Sequence, residues 1–273
     1  MELRACVDAL KPQLLSTLRQ NIQIPSVQGE AEDSAPYGAS VRDSLVHVLD
    51  TARKLGFRTE NMDGHLGWCE YGEGDEMVAV LGHLDVVPAG DGWSCDPFGG
   101  ELRGGKIWGR GTTDDKGPAI ASLFALAALR DSGLPIRRRI RILFGCNEEA
   151  GSDDIKYYLA NDGEIPVMGF TPDGMYPIIN GEKGIAVVDF RRALAPSPRS
   201  IRCISGGTAH NVVPDRARAE LNWPEEERSA REQWATVSIL SPGRRSAPWS
   251  SRYSRVRMSG PDSGSRRTWT EKP

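Results

Sequence analysis

The 273-residue sequence lacks a surplus of charge of either sign. Its 34 lysines and arginines stand against 37 aspartates and glutamates, a formal net charge of −3, so no basic field is present to attract nucleic acid or an anionic membrane. A small or zwitterionic partner is the expectation. Paired cysteines are also lacking: Cys6, Cys69, Cys95, Cys146 and Cys203 are odd in number and contain no C-x-x-C. That argues against a disulfide framework and a structural zinc knuckle, and fits a reducing cytosol. No apolar run approaches the roughly 20 residues of a membrane span; the longest, Gly117 to Leu129, lies between Lys116 and Arg130 and reads as a buried helix. The opening stretch carries Glu2, Arg4, Asp8 and Lys11 among its apolar residues, so it has no uninterrupted secretory core, and a cytoplasmic protein is expected. Histidine is scarce, with only His47, His65, His83 and His210.

What is present fits a globular chain: 39% hydrophobic residues, and a length that suggests roughly two domains at about 150 residues each. Helical spacing of apolar residues predicts helices over about 7–21 and 37–55. A buried strand is predicted from Met77, then a Gly-rich segment from Gly90, a helix over 117–130, and a strand over 140–145. A helix capped by Ser152 should run to about Ala160, followed by a short strand from Val167. This β, α, β, α, β order predicts an α/β fold with a mostly parallel sheet flanked by helices, whose ligands bind beyond the carboxyl ends of the strands. Just past those ends lie His83 with Asp85, then Glu148 with Glu149, then Asp173. After Trp223 the composition changes: residues 224–273 contain ten serines and nine arginines without period, and are expected to be disordered or poorly packed.

Each motif has a plain reading beside its chemical one. In GHLDVV, His83 and Asp85 share a strand face, so Asp85 can take the second imidazole N–H of a metal-ligating His83; a strand-end histidine satisfied by its neighbour would look the same. In GRGTTDDKGP, Asp114 and Asp115 stand before a helix and could simply favour its N-terminus. Nucleotide readings of this region fail, because Ile107 occupies the Ser/Thr position of a phosphate loop and GRGTTD lacks the third glycine of a dinucleotide fingerprint. Glu148 and Glu149 follow a buried strand, where adjacent carboxylates repel unless a cation or a shared proton compensates; Asp173 sits in an ordinary turn, FTPDG. Together, one histidine and several carboxylates at one sheet edge suit zinc, manganese or cobalt, and a shared carboxylate can hold two ions about 3.5–4 Å apart. A free glutamate acting as general base would then make this a site for amide hydrolysis.

LGHLDVVPAGDGWSCDPFGGEL, GRGTTDDKGP, NEEAGSDD, FTPDG and INGEKG resemble, in order and spacing, the PepV-like (Sapep-type) bacterial dipeptidases. These belong to the di-metal peptidase family that also holds carnosinases, aminoacylases and succinyl-diaminopimelate desuccinylases. The resemblance covers roughly residues 5–222. It implies that His83, Asp114 and Asp173 hold one divalent ion and Asp114 with Glu149 the other, zinc being the first choice and manganese or cobalt alternatives. Asp85 would orient His83, and Glu148 would be the general base. Asp115 would be a helix-start residue. The substrate implied is a dipeptide, with no nucleic-acid or membrane partner and a homodimer compatible.

The resemblance also implies what differs. The family inserts an α+β lid domain into the catalytic domain and returns to the catalytic fold, where a late histidine completes the second metal site; no histidine follows His210 here. The resemblance therefore divides the chain into a catalytic domain at 1–192 without its return, the beginning of a lid at 193–223, and a tail at 224–273 with no family counterpart, suggestive of a frameshift or broken gene. His210, in GGTAHNVVPD, precedes the family's S-A-H-G-x-x-P position and is not read as catalytic. Besides a dipeptidase, the sequence is compatible with a catalytically impaired remnant that binds one ion or none, and with an N-acyl amino acid deacylase.

Overall fold

The computed structural model describes residues 2–175, 177–181, 200–206, 217–222, 236–239 and 256–259. The chain divides into two units, Met1–Glu182 and Lys183–Pro273. The first opens with helices α1 (Leu3–Ile22) and α2 (Ala39–Lys54). Val41, Leu45, Val48, Leu49 and Ala52 of α2 are all buried, the stripe that their i, i+3, i+4 spacing requires. Strands β1 (Arg58–Met62), β2 (Leu66–Tyr71) and β3 (Met77–His83) follow, then a hairpin of β4 (Glu101–Arg103) and β5 (Lys106–Trp108). Helix α3 (Lys116–Ser132) is the apolar segment expected to be buried, and it stops at Gly133, whose positive φ lets its N–H turn back to the Arg130 carbonyl. Strand β6 (Arg139–Gly145), α4 (Asp153–Ala160) and β7 (Met168–Phe170) complete the unit.

The sheet order is β1-β2-β6-β3-β7. Strand β3 pairs in parallel with both β6 and β7, whereas β2 is antiparallel to β6 and β1 antiparallel to β2. The sheet is thus mixed, which corrects the expected mostly parallel one. Two short reversals are the cause: residues 72–76 turn β3 back against the direction of β2, so β2 meets β6 antiparallel, and the β1–β2 hairpin is turned by Asp63 and Gly64, both at positive φ, with the Gly64 N–H donated to Asn61 Oδ1. A chain that reverses through a three-residue turn must pair antiparallel, while the α3 crossover returns the chain parallel to β3.

Alternation along the central strands feeds two cores. Val80, Ile142 and Phe144 face α1, α2 and α3, packing with Ile22, Leu45, Ile120 and Leu123. Met77, Ala79 and Leu143 face the other way with Leu66, Trp68 and Tyr158 of α4. Each fully buried leucine or phenylalanine contributes about 1.5–3 kcal/mol, so this double-sided core gives the strand ends a rigid base.

In the second unit, β8 (Ser200–Gly206) pairs antiparallel with β9 (Ala217–Asn222), and β10 (Thr236–Ile239) with β11 (Val256–Ser259). His210, Trp223 and most of 224–273 lie outside the described residues. Among the described residues, no helix is long and apolar enough to cross a membrane.

Candidate metal centre

Strand β3 ends at His83 and β6 at Gly145, its register partner, and the segments that follow them carry the carboxylates. Each end is braced in the same way. The Asp115 Oδ2 accepts the His83 backbone N–H at 3.0 Å, and the Asp154 Oδ2 accepts those of Cys146 and Asn147 at 2.6 and 2.9 Å. Both aspartates are buried. Room for them comes from missing side chains: a Cβ on Gly82 would stand 2.7 Å from Asp115 Oδ2, and one on Gly145 would stand 2.7 Å from Asp154 Oδ2, closer than atoms pack without displacement. The sequence reading gave Asp115 only a helix-start role and missed Asp154. The one available signal was the doubled aspartate in TDDKG and GSDD, whose first member faces out.

The loop bearing Asp114 is tied down from a second side. Lys116 is fully buried and donates from Nζ to the carbonyls of Asn21 and Ile24, each at 2.8 Å, at the end of α1. Burial of that ammonium pushes its pKa down to about 7 against the opposing field of Asp85. The Asp114–Asp115 peptide bond is cis.

His83 is 2% exposed. Its Nδ1 lies 3.0 Å from the Asp85 carbonyl and 3.4 Å from the Asp85 carboxylate. The expected imidazole bond to the Asp85 carboxylate therefore falls to its main chain. The strand has ended at His83, so the pleat no longer aligns the two side chains, and the Asp85 carboxylate turns to accept the backbone N–H groups of Glu148 at 3.2 Å and Glu149 at 3.0 Å. Asp85 consequently joins the His83 ring to the short turn Glu148–Ala150.

The other ring nitrogen faces the remaining acids. Nε2 lies 3.2 Å from Asp114 Oδ1, 3.5 Å from Asp173 Oδ2 and 3.9 Å from Glu148 Oε2. It is buried and makes no hydrogen bond among the described residues, the Asp114 contact falling outside hydrogen-bond geometry. Two groups of ligand atoms result, His83 with Asp114 and Glu149, and His83 with Glu148 and Asp173, each lying within 4.8 Å of one another. These are two spatially close candidate metal-binding clusters that have the His83 imidazole in common, and its Nε2, with one lone pair, can serve one ion. The structure thus gathers all six residues singled out in the sequence at one edge, but it groups Glu148, rather than Asp114, with His83 and Asp173.

The electrostatics agree with a cation site. Burial opposes a charged His83 ring, yet Asp114 and Asp85 outweigh it and push its pKa up to about 11. Burial, reinforced by Asp114, pushes Glu149 up to about 7, and burial also raises Glu148, while the His83 ring pulls Asp114 down. Carboxylates and an orphaned imidazole nitrogen form a nitrogen and oxygen donor set that fits zinc, manganese or cobalt.

Comparison with known proteins bears on this geometry. Residues 79–249 match the model of peptidase family M20/M25/M40, a span that runs past Trp223. The chain is 40% identical over 223 residues to the putative dipeptidase YtjP of Bacillus subtilis, covering 80% of this chain and 48% of that protein. It is 34% identical over 230 residues to the Beta-Ala-Xaa dipeptidase of Lactobacillus delbrueckii subsp. lactis, covering 82% and 49%. Among solved structures, human carnosine dipeptidase 1 superposes with a TM-score of 0.56 at 25% identity, over 64% of this chain and 41% of that one. Dug1p, a dipeptidase of Saccharomyces cerevisiae, gives 0.51 at 26%, over 59% and 37%. The chain spans about half the length of the curated relatives it matches. With its motifs and its acid cluster in the matched span, the chain belongs to peptidase family M20/M25/M40.

Proposed function

We propose that this chain is the metal-binding part of a cytoplasmic dipeptidase that acts on unblocked dipeptides. The observation that carries the reading is the buried, unpartnered His83 Nε2 ringed by Asp114, Asp173 and Glu148. His83, Asp114 and Asp173 would hold one divalent ion, and Asp114 with Glu149 would hold the other. Bound there, two such ions would supply a water of lowered pKa and a Lewis acid for the scissile carbonyl. Glu148 takes the proton of the attacking water and returns it to the leaving amine, and the burial that raises its pKa suits a group that must hold a proton in mid-reaction. Asp85 keeps the His83 ring turned so that Nε2 faces the acids, and by accepting the Glu148 and Glu149 N–H groups it fixes the turn that delivers the base. Residues 1–192 form the catalytic domain and 193–223 the beginning of a lid.

A second reading, a one-ion binder without turnover, is favoured by the ligand count. Among the described residues three serve one ion, but only Asp114 and Glu149 serve the other. Elemental analysis of the purified, dialysed chain, beside the Asp173→Ala variant, separates the two. One tightly held zinc that is lost in the variant is expected from this chain. Two retained ions, with hydrolysis of a dipeptide but not of its N-acetylated form, support the full reaction. A chain that retains no metal at all overturns both readings, and hydrolysis of the N-acetylated form alone shifts the assignment to a deacylase.

A further inference from the structure

A cleft of about 220 Å³ opens beside Asp114, walled by Trp93, Ile107, Trp108, Arg110 and Thr112. Several of its polar groups are already engaged within the chain. The Trp93 indole N–H donates to the Ala89 carbonyl at 2.8 Å, the Trp108 indole N–H to the Arg103 carbonyl at 3.3 Å, and the Thr112 hydroxyl to the Gly109 carbonyl at 2.8 Å. The Arg110 Nη2 donates to the same Ala89 carbonyl at 3.0 Å and its guanidinium lies 5.5 Å from the Trp93 ring centre. Together with the Arg110 backbone N–H, which donates to Pro97 at 2.7 Å, these bonds clasp the segment 88–97 onto the loop that carries Asp114. What remains for a ligand is the indole surface left beside Arg110 on Trp93 and beside Arg103, which lies 4.9 Å from the Trp108 ring centre, together with the side chain of Ile107 and the polar groups of Thr113 and Asp114 at the mouth towards the acids.

Where the indole N–H groups are bonded within the chain, as in Trp93 and Trp108, the rings discriminate by shape and stacking rather than by hydrogen bonds, and aromatic faces prefer another ring at 4.5–7 Å. Resting on the hydrolase reading above, we infer that this cleft is a side-chain subsite of the metal centre and that it takes the aromatic side chain of a dipeptide. Trp93 and Trp108 are its specificity-determining residues. Arg110 acts as a positioning residue that holds Trp93 in place, because its Nη2 donates to the Ala89 carbonyl that also accepts the Trp93 indole N–H and its guanidinium lies over the Trp93 ring.

The test is calorimetric titration of the zinc-loaded 273-residue chain with reduced-amide analogues of Gly-Phe, Phe-Gly and Gly-Ala, which cannot be cleaved. One of the two phenylalanine analogues is expected to bind on the order of tenfold more tightly than the alanine analogue, from ring stacking and added apolar contact. In Trp108→Ala that ratio falls towards one, and in Trp93→Phe, which keeps a ring but loses the N–H, most of it survives. Circular dichroism checks that both variants are folded. Equal binding of the phenylalanine and alanine analogues, or a preference that Trp108→Ala leaves intact, overturns the subsite. If no dipeptide analogue binds but N-acetyl-phenylalanine binds more tightly than N-acetyl-alanine, with the same dependence on Trp108, the subsite stands and the dipeptide reading falls. Binding of none of these probes overturns the subsite.

Discussion

The two ends of the central sheet carry polar clusters of opposite design. At the amino ends of β3 and β6, the buried Glu70 meets Arg58, Arg139 and Arg141, while Glu164 accepts from Arg139 and Arg141. Arg141 also lies over the Trp68 ring at 4.1 Å and donates to the Tyr158 hydroxyl at 3.0 Å. Each carboxylate there is held by at least two guanidinium groups. At the carboxyl ends, Asp85, Asp114, Asp115, Glu148, Glu149 and Asp173 surround one imidazole. Lys116 and Arg110, whose fields reach that cluster, are both bonded to backbone carbonyls. A network with matched partners holds a fold together, whereas a surplus of one sign around a buried, unsatisfied nitrogen is a receptor for the opposite charge.

Substitutions at the two ends should therefore fail in different assays. His83→Ala removes the nitrogen common to both ligand groups, and zinc affinity, measured by competition with a chelating dye, is expected to fall by roughly a thousandfold, with little change in urea unfolding of the metal-free chain. Glu70→Ala should do the reverse. It leaves Arg141 without its principal anion and costs on the order of 3 kcal/mol in urea unfolding, while metal stoichiometry stays as in the parent. If Glu70→Ala abolished metal binding in a chain that is still folded, the division between the two ends would be wrong.

Asp85→Ala tests the link within the receptor end. Losing the carboxylate that holds the Glu148 and Glu149 N–H groups should lower zinc affinity by about 10- to 100-fold, and Asp85→Asn, which can still accept one of them, should recover part of that loss. The smallest effect is expected from His47, which lies 3.2 Å from the Asn21 side chain. Burial, with help from Lys116, lowers its pKa below the usual 6.5. Between the lowered folded value and 6.5 the unfolded chain binds more protons, so stability contributed by neutral His47 is present above that window and is lost as pH falls through it. The stability difference between the parent and His47→Gln should thus shrink by less than about 1 kcal/mol from pH 7.5 to 5.5, read from paired urea curves.

Much of this was legible in the sequence. The apolar runs of β3, β6 and α3 declared themselves by length and composition, and the rule that ligands lie beyond strand ends brought His83, Glu148, Glu149 and Asp173 together before any coordinates. The β1–β2 hairpin was not seen, because Arg58–Met62 reads as R-T-E-N-M without alternation, and its pairing depends on β2 rather than on its own pattern. Asp-Gly at 63–64 was the available cue. The grouping of ligands was also beyond reach, since it depends on the direction the chain takes after His83. The bracing roles of Asp115, Lys116 and Asp154 arise from burial, and a charged residue in a loop ordinarily reads as exposed.

Gly82 and Gly145 give the molecule an unusual weak point. Neither carries a functional group, yet each leaves the volume in which a buried carboxylate grips the end of a strand. A single methyl group at either position would act as a wedge, driving Asp115 or Asp154 off its backbone partner and shifting the acids outside by a fraction of an ångström. The chemistry of the cleft is thus guarded by two atoms that are not there, and the residues least able to mutate are the plainest ones.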